Sequence, residues 1–559
     1  MTRNVSYKFP GVSEMETFPG VSETETFPKR GNASYISLFP CYLDFGGRIP
    51  TEISHLSNLV SLDLSVSLEI SPWPEIPFLR IEREVFQGLV QNLTKLIELL
   101  LNVVDMSAIV PSSLKNISSS LTSLSLVHCK GTSQIIRHLD LSDNNITGEF
   151  QDLFVNLMQL SLLSFANNQL TGPIPSHASG LSNLVTISLY NNSLNGTIPS
   201  WLFTLPLLKY LNLAYNQLTG HIDQFQSKSL EFIHLGNNRL NGFIPSSIFE
   251  QVNLIVLSLS SNNFNGIVEL HLFSKLKNIM ELDLSHNSLL VNTASKTNSS
   301  FSKLHYLHLS ACNISEFPDI LRSLDILEEL DLSKNKIQRQ IPNWMLEIGK
   351  DSLYWLNLSL NSLNDTIELP WRNLRYLDLH SNMLRGSLPI PQPSMRLISL
   401  SNNNLTGKIP DLICNMSFIQ IIDVSNNSLS GIIPECMGNS SSLHVLDLRK
   451  NRFNGSIPGT FARGNNYRTL NFNNNELERS IPQSLINCSA LEVLDLGNNQ
   501  LNDMFPYWLG NLPKLQVLVL RSNKLYGSNW GCSKTKNCFP KLKIFDLSNN
   551  KLSGFLPAR

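Results

Sequence analysis

A motif of about 24 residues returns in register along most of the 559-residue chain, and no other feature restricts its possible folds so severely. It reads LDLSDNNITG from Leu139, ISLYNNSLNGTIP from Ile187, IDVSNNSLSGIIP from Ile422, LDLRKNRFNGSIP from Leu446 and LDLGNNQLND from Leu494. Asparagine holds one fixed place in it, at Asn144, Asn168, Asn192, Asn216, Asn238, Asn262, Asn287, Asn335, Asn361, Asn382, Asn403, Asn427, Asn451, Asn475, Asn499, Asn523 and Asn550, and Cys312 stands there once. This spacing marks out roughly eighteen regular repeats over 139–559. Over 47–138 it leaves up to three degenerate ones, whose matching positions are Ser67, Val104 and Cys129.

Alternating leucines in LxxLxLxxN fit a short strand with one face buried and the intervening positions turned outward. The asparagine that follows is predicted to end the strand, its amide satisfying backbone groups of its own turn and of the next coil. In the second half of the unit, Gly172, Gly196, Gly242, Gly407, Gly431 and Gly455 permit a positive φ. Pro175, Pro199, Pro245, Pro410, Pro434 and Pro458 then fix an extended return. Ordering one coil costs ~1–2 kcal/mol per residue while each buried leucine returns only ~2 kcal/mol, so a single repeat cannot fold alone. The predicted fold class is an α/β-type repeat solenoid, with a parallel β-sheet on the concave face and short helical or extended returns on the convex face.

Charged residues make up 16% of the chain, and 43 basic residues balance 44 acidic ones for a net charge of -1, so general attraction to nucleic acid or anionic membrane is not expected. No HExxH, P-loop or clustered zinc-ligand spacing occurs, and no cofactor or metal is expected. Asp44-Phe45-Gly46 spells the metal-binding triplet of kinases, but without the catalytic loop or phosphate loop that would give it meaning. The chain is therefore read as non-enzymatic. Residues 1–46 contain a polar tandem repeat, FPGVSEMET from Phe9 and FPGVSETET from Phe18, and are expected to be disordered.

The full unit LxxLxxLxLxxNxLxGxIP resembles the plant-specific class of leucine-rich repeat, which implies that class's superhelix. Three segments are similar to plant receptor-like proteins of defence or development: GRIPTEISHLSNLVSLDLS from Gly47, LVQNLTKLIELLLNVVDMSAIVPSSL from Leu89, and LRSNKLYGSNWGCSKTKNCFPKLKIFDLSNNKLSGFLP from Leu520. The resemblance implies a ligand-recognition domain on the extracellular face of the plasma membrane, a peptide or protein ligand, and signalling through a co-receptor kinase. Measured against that pattern, the chain is expected to be a truncated ectodomain, since the leader, paired-cysteine cap, island and membrane helix of such receptors are not found in it. Two alternatives are a secreted inhibitor of an extracellular hydrolase and an ectodomain fragment of a leucine-rich-repeat receptor kinase. Inhibitors of that kind resemble solenoids of about ten coils, roughly half the number here.

Cys414 and Cys436 fall about one period apart on the return side and are expected to pair, as are Cys532 and Cys538, which bracket an insertion at 526–540. Cys129 and Cys312 occupy the asparagine place and read as buried thiols; Cys41 and Cys488 have no evident partner. Roughly seventeen N-x-S/T sites are candidates for glycosylation, among them Asn92, Asn116, Asn195, Asn298, Asn313, Asn357, Asn364, Asn415, Asn439 and Asn487. The outward strand positions carry Tyr190, Tyr210, Tyr215, Phe232, His234, His286, Tyr306, His308, Trp355, Tyr376 and His380, none required by the leucine core. These residues are candidates for ligand contact, with lateral packing on neighbouring strands as the open alternative. His308 shares a column with Asp283 and Asp331, so its charged form should be favoured and ligand affinity should depend on pH between about 5 and 7.

Overall fold

The computed structural model describes residues 47–64, 79–101, 160–527 and 538–554, apart from 94, 97, 178–180, 295–300 and 367, together with short segments between 5 and 149. They fall into two compact units, residues 1–266 with 275–279, and 267–274 with 280–559.

In the first unit a parallel sheet of three-residue strands runs from Tyr35–Ser37 through Ser61–Asp63, Glu98–Leu100, Ser123–Ser125, His138–Asp140, Leu162–Ser164, Thr186–Ser188, Tyr210–Asn212 and Phe232–His234 to Val256–Ser258. The sheet thus includes Tyr35–Ser37, inside the segment expected to be disordered; most of 1–46 lies outside the described residues. The second unit repeats the arrangement from Glu281–Asp283 through Tyr306–His308, Glu329–Asp331, Trp355–Asn357, Tyr376–Asp378, Leu397–Ser399, Ile421–Asp423, Val445–Asp447, Thr469–Asn471, Val493–Asp495 and Val517–Val519 to Ile544–Asp546. The central residue of nearly every strand is buried and its neighbours are half-buried, as the period-two pattern requires.

Return segments are 3-10 turns rather than α-helices. Each of Ser200–Thr204, Ser246–Glu250, Asp319–Ser323, Asn343–Glu347, Asp411–Asn415, Glu435–Asn439, Gln483–Asn487 and Tyr507–Asn511 starts directly after a proline. The fixed φ of proline sets the chain's entry into the turn, and its missing N–H is of no consequence there. One α-helix, Arg83–Asn92, replaces this turn in the degenerate region.

A second set of short parallel ladders follows the asparagine position, a feature absent from the sequence-based expectation. Thr406–Gly407 pairs with Ser428–Ile432, which pairs with Arg452–Gly455 and then Glu476–Leu477. Gly407, Gly431 and Gly455 lie at or next to the ends of three of these strands, where the path needs a positive φ beside the preceding coil. At Gly266, φ is +91° and an added Cβ would lie 2.4 Å from the Phe243 ring.

The asparagines form the expected ladder, but from Asn192 onward, Asn287 aside, the amides reach back to the preceding coil rather than forward. The Nδ2 of Asn192 donates to Leu189 O and Tyr190 O of its own turn and to Phe165 O one coil earlier, at 3.2, 3.2 and 2.8 Å. Its Oδ1 accepts the N–H of Leu170, also one coil earlier, at 3.0 Å. The same four-bond pattern recurs at Asn216, Asn238, Asn262, Asn361, Asn382, Asn403, Asn427, Asn451, Asn475, Asn499, Asn523 and Asn550. Asn335 extends it, accepting from both Cys312 N and Ile314 N at 3.0 Å. Asn168 and Asn287 bond the carbonyls of their own turns, and Asn144 lies outside the described residues. At Cys312 a buried free thiol replaces the amide, its Sγ 3.5 Å from Leu284 O, and burial pushes its pKa up to about 12.

The residue before each rung adopts a left-handed conformation, with φ between 52° and 57° from Asp143 and Asn167 through Asn426, Asn474 and Asn498 to Asn549. Asparagine tolerates that region best among residues with a side chain, which explains the recurring Asn-Asn pair. Asn402, Asn403 and Asn404 therefore serve different purposes: Asn402 holds a left-handed φ of 55°, Asn403 is a 7% exposed rung, and Asn404 is exposed. Asn403→Ala should destabilise the chain by ~1–3 kcal/mol, the cost of stranding buried backbone groups, whereas Asn404→Ala should stay within about 0.5 kcal/mol of wild type in urea unfolding.

Candidate ligand-contact face

Tyr210, Phe232, His234, Tyr306, His308, Trp355 and Tyr376 lie on strands at half-buried outward positions. Tyr190, Tyr215, His286 and His380 do not; they follow the strand ends, and Tyr215 and His286 occupy the left-handed position at φ 56°. Tyr215 is 51% exposed, so it combines an exposed ring with a backbone conformation unusual for an aromatic residue.

Within the first unit these rings pack on one another. Tyr190 and Tyr215 meet edge to face with centroids 5.3 Å apart, and Tyr210 lies 5.6 Å from Phe232 and 5.8 Å from His234. Burial lowers the pKa of His234 and keeps its ring neutral near pH 7. In the second unit His308 stands 5.8 Å from Trp355 in an edge-on arrangement. Lateral packing thus accounts for part of the burial of these side chains.

His308 is paired in register with Asp283 on one side and Asp331 on the other, as the spacing predicts. Its nearest acid belongs to a different column: Glu329 Oε2 is 3.3 Å from Nε2, although the imidazole is out of line for a good hydrogen bond. Asp283 and Asp331 have another task, since each Oδ1 accepts the N–H two residues on, from Ser285 at 3.0 Å and Ser333 at 2.8 Å. The same cap recurs at Asp378, Asp423, Asp447, Asp495 and Asp546. This acidic column is an architectural element that closes the strand ends.

Tyr306 Oη donates to Glu328 at 3.2 Å and Tyr354 Oη donates to Glu329, and both phenols are held above their ordinary pKa by burial and by these carboxylates. Burial pulls the His308 pKa down, but the close approach of the Glu329 carboxylate and the charges of Asp283, Glu329 and Asp331 outweigh it, leaving a net rise. Glu329 moves the opposite way, chiefly because His308 stabilises its ionised form. Glu281 is raised by burial and by neighbouring Asp283 and Glu329, partly countered by His308.

The Cys414–Cys436 bridge is present with Cα atoms 5.7 Å apart. Cys538 is disulfide-bonded, while its expected partner Cys532, along with Cys41 and Cys129, lies outside the described residues; Cys488 is a buried free thiol. Among the sequons, Asn92, Asn195, Asn313, Asn364, Asn415 and Asn439 are exposed. Asn357 is half-buried with its Oδ1 accepting from Ser359, and Asn487 donates its Nδ2 to Phe461 O at 2.8 Å, so neither amide is freely presented. Asn116 and Asn298 lie outside the described residues.

A raised histidine pKa stabilises the fold fully below the unfolded value of about 6.5, and that contribution is lost as pH rises through the folded value. A lowered Glu329 pKa contributes above its unfolded value and is lost as pH falls through the folded one. The pair should therefore be most stabilising between about pH 5 and 6.5. NMR titration of the His308 ring should give a pKa above that of a free histidine, and Glu329→Gln should lower it; an unchanged midpoint in the variant contradicts the pairing.

Comparison with known proteins places these features in context. Leucine rich repeat models match residues 441–501 and 466–525, and a shorter Leucine Rich Repeat model matches 135–157, 183–205, 229–250, 327–347, 373–392, 394–416, 418–440 and 541–559. Receptor-like protein 47 of Arabidopsis thaliana is 43% identical over 98 residues, 18% of this chain and 12% of that protein. Receptor-like protein 33 of Arabidopsis thaliana is 45% identical over 74 residues, 13% of this chain and 8% of that protein. The matched segments thus span about a tenth of these relatives' own length. Among solved structures, the PEPR1–AtPEP1 complex superposes with a TM-score of 0.69 at 26% identity, covering 92% of this chain and 75% of that one. The ectodomain of the Arabidopsis receptor kinase HAESA, solved with an N-terminally extended IDA peptide hormone, gives 0.65 at 28% identity and covers 91% and 90%. HAESA solved with IDA and the co-receptor SERK1 gives 0.63 at 26% identity and covers 94% and 91%.

Proposed function

The chain is a plant-type leucine-rich-repeat protein related to the receptor-like proteins, and from that premise we propose that it is the ligand-recognition domain of an extracellular receptor acting in defence or developmental signalling through a co-receptor kinase. One observation carries this reading. Across four successive coils the outward positions hold Tyr306 and His308, then Glu329 and Asp331, then Trp355, then Tyr376, whereas equivalent positions elsewhere hold Thr186, Ser188 or Thr469 in the same strand geometry. The fold does not require aromatic residues there. They supply large, rigid contact area at small entropic cost, which suits capture of a peptide or protein.

The HAESA complexes with IDA and with SERK1 support a peptide ligand and a second receptor chain. They also favour an alternative assignment, the ectodomain of a receptor kinase, which shares this face and differs only in what lies beyond the membrane. A hydrolase inhibitor is disfavoured by the number of coils. On the secreted reading, Asn92, Asn195, Asn313, Asn364, Asn415 and Asn439 present exposed amides for glycosylation, outside the outward strand positions.

Replacing Tyr306, His308 and Trp355 together by alanine should reduce capture of ligand from apoplastic fluid at least tenfold while the circular dichroism spectrum stays that of the wild type. Undiminished capture by the folded variant contradicts the assignment.

A further inference from the structure

Beyond Tyr376 the outward face of the second unit changes character. The first outward position of successive coils holds Leu397, Ile421, Val445, Thr469, Val493, Val517 and Ile544, each paired in register with the next. Thr469 shows that a polar side chain is accepted at this position, as do Glu281 and Glu329 earlier in the same unit. The aliphatic stripe is therefore not imposed by the core.

A second column runs beside it, one residue earlier in each coil. Backbone hydrogen bonds of 2.7–2.8 Å link Arg375, Arg396, Gln420, His444, Arg468, Glu492, Gln516 and Lys543 in sequence. This edge carries three arginines and a lysine against one glutamate. Arg375 and Arg468 are exposed and Arg396 is half-buried, and none of the three forms an ion pair with a carboxylate among the described residues.

The opposite edge holds Asp423, Asp447 and Asp495, whose carboxylates are already engaged. They accept the N–H groups of Ser425, Arg449 and Gly497, and Asp447 also lies 3.4 Å from the Arg449 guanidinium. Each of those carboxylates thus has a hydrogen-bond donor within the fold. The guanidinium groups of Arg375, Arg396 and Arg468 have no carboxylate partner among the described residues, and Arg375 and Arg396 directly precede adjacent strands, where like charges repel.

We propose that the stripe from Leu397 to Ile544, with its arginine edge, binds an extended peptide segment that alternates aliphatic and acidic side chains. In an extended chain successive side chains point to opposite sides, so one set rests on the stripe while the other lies along an edge. The arginine edge offers positive charge with no carboxylate partner among the described residues, and guanidinium groups match carboxylates in planar, bidentate geometry. Six strand spacings of ~4.8 Å give a track of ~29 Å, about nine extended residues. The assignment rests on the ligand-recognition reading and adds to it the chemistry of the ligand and a location separate from the Tyr306–His308–Trp355 group.

The competing explanation of the stripe is sheet stabilisation by β-branched neighbours. A direct test uses the whole chain and a fluorescently labelled nine-residue peptide alternating leucine and glutamate, with its lysine counterpart as comparison. Fluorescence anisotropy should show the glutamate peptide binding at least tenfold more tightly than the lysine peptide. Arg375→Glu with Arg396→Glu should reverse that preference, and Val445→Thr with Val493→Thr, which keeps the β-branched shape, should weaken binding at least threefold. Equal affinity for the two peptides, no measurable binding of either, or indifference to the charge reversal overturns the proposal. Because Tyr306, His308 and Trp355 are untouched in these variants, such a result leaves capture of the native ligand at the aromatic group as a separate question.

Discussion

Side-chain amides that bond to the backbone of the coil before them are the interaction on which the rest of the structure depends. Each coil buries a few leucines and pairs one three-residue strand, too little to offset the entropy of ordering about 24 residues. What makes the arrangement stable is that both the leucine interior and the polar turns are shared. At Asn192, bonds to Phe165 O and Leu170 N tie one coil to its predecessor at the place where the strand ends and backbone groups would otherwise lack partners. A carboxamide suits this place because it donates twice and accepts once in a plane. Cys312 tests the rule in reverse: its thiol approaches the Leu284 carbonyl, while the acceptor for neighbouring N–H groups is supplied by Asn335, which accepts two.

That stack frees the outward positions for other purposes, and the two units use them differently. In the first, rings cover one another in pairs such as Tyr190 with Tyr215. In the second, aromatic and ionisable groups around His308 give way to aliphatic side chains beside arginines. The carboxylate column that runs beside them caps strand ends while keeping its charge, and burial together with Asp423 and Asp495 raises the pKa of Asp447. Outside that column, positive charge gathers along the strand entries from Arg375 to Lys543 and acidic groups gather at Glu281, Glu328 and Glu329.

Much of this was legible in the sequence because it follows from periodicity and donor–acceptor chemistry. The strands, the rungs, the proline-led returns, the Cys414–Cys436 bridge and the register of His308 with Asp283 and Asp331 all came from spacing alone. The direction of the amide bonds did not, since an asparagine side chain is equally able to face either neighbour until the handedness of the turn is known. The left-handed residue before each rung is signalled by the repeated Asn-Asn pair, and the aspartate cap by the aspartate that recurs two residues after the first outward position, as Asp423 does after Ile421. Tyr190, Tyr215, His286 and His380 lie two or three residues beyond the ends of the strands on which the spacing places them. Glu329 escaped notice as the partner of His308 because it occupies an adjacent column, and reach across strands is a property of side-chain length rather than of register.

The central claim is that neighbouring coils are coupled through their asparagines rather than merely stacked. Hydrogen–deuterium exchange read by mass spectrometry, comparing the wild-type chain with Asn427→Ala, tests it most directly. Loss of protection spreading from the altered coil to the Leu397–Leu405 segment before it, whose carbonyl at Leu400 and N–H at Leu405 bond to that amide, is the predicted result. Exchange that rises only within the altered coil, leaving the preceding one as protected as before, would contradict the account.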